Sequence, residues 1–189
     1  MISGNLKLVT PPEVEPVTLE EALTQCHADE GVEDEWFLSA ISAAREACED
    51  YQWRAYISQV YDLFFDSIPN TPLYIPRAPL IEVQSVKVYD SDNVEYDVDL
   101  DTFVISADSE PARLTLAKEK QWPAKDLRSM SAVKIRFRAG YGESADLVPV
   151  SVKRAILLYV GWMYGNREGE GKELPKAFYD LLRPNRLYL

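Results

Sequence analysis

A chain of 189 residues and 21.5 kDa has room for one domain of ordinary size, or one carrying an insertion, and too little for two large ones. Hydrophobic residues make up 47% and charged residues 27%, enough to bury a core and unlike the composition of a disordered chain. Thirty-one acids against twenty bases leave a net charge of −11, which argues against a protein that grips nucleic acid through its phosphates.

The charge is unevenly spread. Residues 1–50 hold two bases and twelve acids, whereas residues 151–189 hold seven bases and four acids. An acidic front and a mildly basic back fit head-to-tail contacts or a docking end, and equally a solvated face. Cys26 and Cys48 match no metal spacing and fall in helical segments, so both are expected to be reduced. The N-terminus has neither a basic region nor an apolar core of the signal-peptide kind, and no apolar run approaches the roughly 20 residues of a membrane span. A soluble chain of intracellular origin, with no membrane partner, is expected.

Pro11, Pro12 and Pro16 make the first sixteen residues an extended arm. Thr18 and Glu21 stand at capping-box spacing, and Leu19, Ala22, Leu23 and Cys26 then recur at helical intervals, predicting a short helix that fails near Gly31. A longer helix starts at Glu33 or Asp34 and runs to about Tyr51 or Trp53, with Phe37, Leu38, Ile41, Ala44, Cys48 and Tyr51 on one apolar stripe. From Ser58 the period falls towards two. Short β-branched or aromatic runs follow at 60–65, 73–75, 80–89, 94–98, 102–106, 113–116 and 132–138, predicting a small antiparallel sheet or barrel. In the last run Val133, Ile135 and Phe137 alternate with Lys134, Arg136 and Arg138, one face buried and the other cationic.

Gly140 and Gly142 end the sheet, and Pro149 opens a third helix that reaches Gly165 and Asn166. Its apolar residues, including Tyr159 and Trp162, lie on more than one side, so it is expected to be the most buried helix. Arg167 to Lys172 reads as a mobile loop, and a last helix from about Pro175 to Arg183 is broken by Pro184, leaving Asn185 to Leu189 as a tail. The fold class is therefore α+β. A helical core of about four helices, residues 1–57 and 143–189, is interrupted by a β-rich insertion at 58–142.

No catalytic constellation is encoded. The single His27 cannot build a zinc site alone and reads as a surface or capping residue. Asp97, Asp99 and Asp101 alternate as if on one strand face, where a cation could bind, yet the segment lacks the glycine and bidentate glutamate of a calcium loop and reads better as a solvated edge. Gly140-Tyr-Gly142 and Gly169-Glu-Gly171 are too short for phosphate loops. No cofactor, metal site or enzymatic activity is expected. Trp53, Tyr56, Trp122 and Tyr141 lie at element ends or in loops, where contacts between subunits or with a partner are as plausible as local packing.

The order and spacing of several segments resemble the head-tail connector, or adaptor, proteins of tailed bacteriophages and prophages, over nearly the whole length. The resemblance is carried by Glu15-Pro-Val-Thr-Leu-Glu-Glu-Ala22, by Ala43-Ala-Arg-Glu46 through Glu49, Tyr51 and Arg54, and by Tyr74-Ile-Pro-Arg-Ala-Pro-Leu80. It continues through Ala139-Gly-Tyr-Gly142, Val148-Pro149, Ala155-Ile-Leu-Leu158, Asn166-Arg-Glu168 and Leu181-Leu-Arg-Pro184. It implies a structural virion protein that docks as a ring, usually twelvefold, on the portal after DNA packaging. Such a ring extends the DNA channel, lets packaged DNA pass without specific binding, and forms the platform for the next neck or tail protein.

The resemblance places the protein at the head-tail junction of the virion, after assembly in the host cytoplasm, and the β-rich insertion is like that of one large subgroup. By the same resemblance the portal-binding tail comprises Arg183, Asn185, Arg186, Leu187, Tyr188 and Leu189. Gln52-Trp53 stands where relatives tend to have small turn residues, which points to an additional contact there. The alternatives are a stopper or tail terminator, which would lack the flanking helices, or a small metal-dependent hydrolase built on the alternating aspartates.

Overall fold

A computed structural model describes residues 4–167 and 173–188. The chain divides into two compact units, one containing residues 4–11 and Ser58–Tyr141, the other containing Pro12–Ile57 and Gly142–Tyr188. Each is α or β in character, and the chain as a whole is α+β. No helix among the described residues is long and apolar enough to cross a membrane.

Among the described residues the first unit holds eight strands: β1 (Asn5–Thr10), β2 (Gln59–Phe65), β3 (Leu73–Ile75), β4 (Leu80–Tyr89), β5 (Glu95–Val98), β6 (Phe103–Ser106), β7 (Ala112–Leu116) and β8 (Val133–Ala139). They form two antiparallel sheets, in the orders β1-β2-β8-β4-β5 and β3-β7-β6, where the patterning had implied a single sheet or barrel. Pro76 and Pro79, between β3 and β4, cannot donate to a ladder, and β3 pairs instead with β7. The extended arm also has a place: Asn5–Thr10 pairs with β2 as an edge strand.

Central strand β8 shows why the five-stranded sheet forms. Val133, Ile135, Phe137 and Ala139 are buried and meet Phe65, Leu63 and Tyr61 of β2 on one side and Val88, Val86 and Val83 of β4 on the other. The Tyr61 and Phe137 rings stack with centroids 5.6 Å apart. On the opposite face each cation meets an acid. Arg136 donates two hydrogen bonds to the buried carboxylate of Asp62, its register partner, at 2.7 and 2.8 Å. Arg138 lies 3.3 Å from Glu82, and Lys134 lies 3.5 Å from Glu95. Glu95 is also held by the Lys87 ammonium and the Tyr89 hydroxyl. The alternation expected of β8 is therefore present, but its cationic face is paired within the sheet.

The second unit contains α1 (Leu19–Cys26), α2 (Asp34–Gln52), α3 (Val150–Gly165) and α4 (Lys176–Leu182). The capping box at the start of α1 is complete, with Glu21 N–H on Thr18 Oγ1 and Thr18 N–H on the Glu21 carboxylate. α1 stops at Cys26 and not near Gly31, because His27 takes the left-handed conformation (φ 52°) and the Ala28 N–H folds back on the Leu23 carbonyl at 3.0 Å. His27 is thus a capping residue. The core joins Ala22 and Leu23 of α1, Phe37, Ile41, Ala44 and Cys48 of α2, Val152, Ala155, Ile156 and Val160 of α3, and Phe178 and Leu182 of α4. Tyr159 and Trp162, expected in this core, are only half-buried and edge it, packing against each other at 5.7 Å.

Arg167, read from sequence as the start of a loop, is fixed. Its guanidinium donates to both Glu33 oxygens, at 2.5 and 2.7 Å, and lies over the Trp36 and Tyr164 rings at 4.5 and 4.3 Å. The arginine hydrogen bond holds the Glu33 carboxyl below its usual pKa. The remainder of that expected loop, residues 168–172, lies outside the described residues.

Hydrogen bonds from Lys87 and then Tyr89 depress the Glu95 pKa from 4.5 to about 2. A carboxylate with a lowered folded pKa stabilises the fold above its unfolded value, and that contribution is lost as the pH falls through the folded one. Glu95→Gln should therefore be less stable than the parent at neutral pH, with the difference shrinking as the pH drops from about 4.5 to about 2. Urea unfolding of both chains across that window, followed by fluorescence, is the check. A constant difference would show that Glu95 does not couple to stability.

Candidate functional site: the C-terminal segment and its anchor

The last two turns of α2 carry Arg45, Glu49 and Gln52, four and then three residues apart and so on one flank of the helix. All three are buried. A buried polar group needs partners, and here they form a chain. Arg45 donates from Nε to Glu15 at 2.8 Å, from Nη1 to Glu49 Oε2 at 2.9 Å, and from Nη2 to Ser42 Oγ at 3.2 Å. Burial opposes the charge on Arg45, but its hydrogen bond to Glu15 and the charge of Glu49 outweigh that and raise its pKa. Glu49 Oε1 accepts the Tyr56 backbone N–H at 2.7 Å. The Tyr56 hydroxyl donates to Gln52 Oε1 at 2.7 Å, and Gln52 Nε2 donates to the Leu182 carbonyl at 2.5 Å, at the end of α4.

The end of α2 completes the anchor. Trp53 adopts the left-handed conformation (φ 58°), and the N–H groups of Trp53 and Arg54 both turn back to the Glu49 carbonyl. The last carbonyls of a helix lack intrahelical donors, and that of Gln52 accepts the Leu187 N–H at 3.0 Å. Arg54 Nε donates to the Asn185 carbonyl at 2.5 Å. The C-terminal segment is therefore held through main-chain groups at 182, 185 and 187.

This corrects the reading of Asn185 to Leu189 as a tail. Arg183–Asn185 is a short 3₁₀ turn, Leu187 is buried, and the Arg186 guanidinium stacks 4.5 Å from the Tyr51 ring centroid. Arg183 is exposed and lies 4.0 Å from Asp180. Tyr188 is 75% exposed, and Leu189 lies outside the described residues.

The four residues singled out for contacts separate clearly. Tyr56 is fully buried, with both polar groups used inside its own chain, so it has no surface to offer a neighbour. Trp122 is half-buried against Phe103 at 5.0 Å, and Tyr141 is half-buried at the end of the sheet unit. Trp53 is 42% exposed at the end of α2. The additional contact expected at Gln52-Trp53 is internal on the Gln52 side, namely the capture of Leu182 and Leu187. Sequence reasoning did not recognise Arg45, Glu49, Gln52 and Arg54 as an anchor. Their one signal was a set of polar residues flanking the apolar stripe of α2 at helical spacing.

The alternating aspartates do not converge. Asp97 pairs with Lys87 at 3.3 Å, whereas Asp99 caps the 3₁₀ turn Leu100–Thr102 by accepting the Asp101 N–H. Among the described residues no three His, Cys, Asp or Glu side chains are grouped to hold a metal ion. Cys26 and Cys48 are both free, and burial raises the pKa of each thiol.

No protein-family model and no curated protein matches the sequence. The fold, by contrast, is shared with solved structures along nearly its whole length. A chain in the virion of a native gene transfer agent particle superposes with a TM-score of 0.81 at 23% identity, over 97% of this chain and 96% of that one. A chain in the neck of an empty gene transfer agent particle, computed with C6 symmetry, gives 0.81 at 24% identity over 98% and 96%. One in the neck of the native particle, computed with C12 symmetry, gives 0.74 at 23% identity over 97% and 96%.

Gln52→Ala would leave the Tyr56 hydroxyl and the Leu182 carbonyl without their partner in a buried site. Such a loss costs about 2–4 kcal/mol. The substitution should lower the midpoint of thermal unfolding and speed exchange of the Leu187 amide more than that of amides in α1. Unchanged exchange at Leu187 would show that the side chain of Gln52 does not anchor the segment.

Proposed function

We propose that this chain is a non-enzymatic structural protein of a phage-like particle neck, acting as a head-tail adaptor. In this reading it assembles as a ring, twelvefold on the virion, docks on the portal after packaging, extends the DNA channel and supports the next neck or tail protein. The observation that carries the reading is the near-complete fold likeness to chains in gene transfer agent virions and necks, which accounts for both units together. The segments that resemble connector proteins in sequence point the same way. The helical unit would be the connector core and the sheet unit its insertion. The protein would act at the head-tail junction after assembly in the host cytoplasm.

The electrostatics support a channel component through which DNA passes without being held. The net charge is −11, and the cationic face of β8 is paired with Asp62, Glu82 and Glu95. A surface of the same sign as DNA repels it at close range. The helices α1 to α4 favour an adaptor over a stopper or terminator, which would share a small β-rich body without them. The hydrolase alternative loses its motivating feature, since Asp97 and Asp99 are engaged separately.

The anchored C-terminal segment refines where portal contacts would arise. Arg183, Arg186 and Tyr188 offer cationic and aromatic groups, whereas Asn185 and Leu187 chiefly fix the segment to the core. Mixed with the portal ring of the same particle, the 21.5 kDa chain should bind at a stoichiometry that matches portal symmetry, measured by light scattering. Tyr188→Ala should weaken this binding with no change in thermal stability, whereas deletion from Pro184 onward should destabilise the helical unit as well. A stable small oligomer indifferent to the portal would overturn the adaptor reading.

A further inference from the structure

We propose that Arg186 is one half of an ion-pair site, and that the other half is a side-chain carboxylate of the portal ring. This rests on the adaptor reading above and adds the chemistry of the contact. The chain contains a completed example of such a site. Arg167 lies over the Trp36 and Tyr164 rings, at 4.5 and 4.3 Å, and donates to both oxygens of Glu33. A guanidinium stacked by its face keeps its in-plane N–H groups available, and those match the two oxygens of a carboxylate.

Arg186 has the same aromatic backing, with its guanidinium 4.5 Å from the Tyr51 ring centroid and 5.4 Å from that of Tyr188. The acid is what differs. Among the described residues the Arg186 side chain has no hydrogen bond or ion pair, and its Nε is buried without an acceptor. A buried donor with no acceptor is costly, so a partner that supplies one gains affinity.

The segment also presents Arg186 in a fixed place. On one side the Asn185 carbonyl is held by Arg54, and on the other the Leu187 N–H is held by the Gln52 carbonyl. The Arg186 N–H closes the 3₁₀ turn on the Arg183 carbonyl at 3.2 Å. Tyr51 packs edge-on against Tyr179 at 5.4 Å, which fixes the ring behind the guanidinium. Arg186 is half-buried and Tyr188 exposed, so an incoming acid meets a cation that is already oriented and loses little freedom on pairing. A carboxylate fits better than a phosphate of packaged DNA. The net charge of −11 opposes the approach of DNA, and Arg167 takes an acid in the same aromatic setting.

The test compares the full-length parent with Arg186→Gln, Arg186→Lys and Arg186→Glu on the portal ring of the same particle, binding being followed by sedimentation velocity. Arg186→Gln should raise the concentration for half-saturation about tenfold, and Arg186→Lys, which keeps the charge without the planar fork, should recover only part of that loss. The thermal midpoint and the exchange of the Leu187 amide should stay at the parental values, because main-chain groups anchor the segment. Changing a single portal aspartate or glutamate to lysine should restore binding of Arg186→Glu. The carboxylate site would be overturned, with the adaptor reading left standing, by Arg186→Gln or Arg186→Lys binding as tightly as the parent, by faster Leu187 exchange in Arg186→Gln, or by the lack of any rescuing portal acid. Binding of duplex DNA by the parent that Arg186→Gln abolishes would also overturn it, by assigning the anion to phosphate. A parent that does not bind the portal would overturn both.

Discussion

The helical unit depends on a requirement met at the end of α2: buried polar groups must all be satisfied at once. Glu49 and Gln52 stand where the helix turns away from its axis, and each makes contacts in two directions. Glu49 receives Arg45 and the Tyr56 amide, and Gln52 receives the Tyr56 hydroxyl and donates to Leu182. In a low-dielectric interior such bonds are strong when complete and costly when one member is missing. The network therefore specifies one arrangement of Pro12–Ile57 with 173–188, and loosening any link orphans its neighbours. Its contacts to the C-terminal segment are to main-chain groups, so the path of that segment is set independently of which side chains project from it.

That separation between anchor and display suits an assembly protein. Leu187 and the carbonyl of Asn185 are used inward, while Arg183 and Tyr188 remain outward. A segment already ordered gives up little conformational entropy when it binds, in contrast to a loose tail, which must be fixed at the moment of contact. The same economy governs the sheet unit. The cations of β8 are neutralised across neighbouring strands, by register on β2 and by reach from β4 and β5.

Much of the architecture was legible because local physics dominated. Thr18 and Glu21 announced a capping box and form one, the stripe of Phe37, Ile41, Ala44 and Cys48 is buried although Leu38, expected on it, is 53% exposed, and the alternation from Val133 to Arg138 has one buried face. The misreadings share a cause. His27 ends α1 through a left-handed conformation that a sequence marks clearly only when glycine occupies the position. The arm at Asn5–Thr10 became a strand because β2, more than fifty residues later, offered an open edge. The eight strands split into two sheets through long-range pairing that short-range alternation does not encode.

The sequence by itself determined the class of the four helices and of the strands from β2 to β8, the excess of negative charge and its concentration at the front, since these follow from composition and from periods of two and of 3.6 residues. Only the tertiary structure decided that Tyr56 is interior, that the alternating aspartates diverge, and that Gln52 and Arg54 hold the C-terminal segment. The reason is physical. Periodicity reports which face of an element is apolar, whereas a hydrogen bond between Gln52 and Leu182 joins groups 130 residues apart and exists only once packing has brought them within reach.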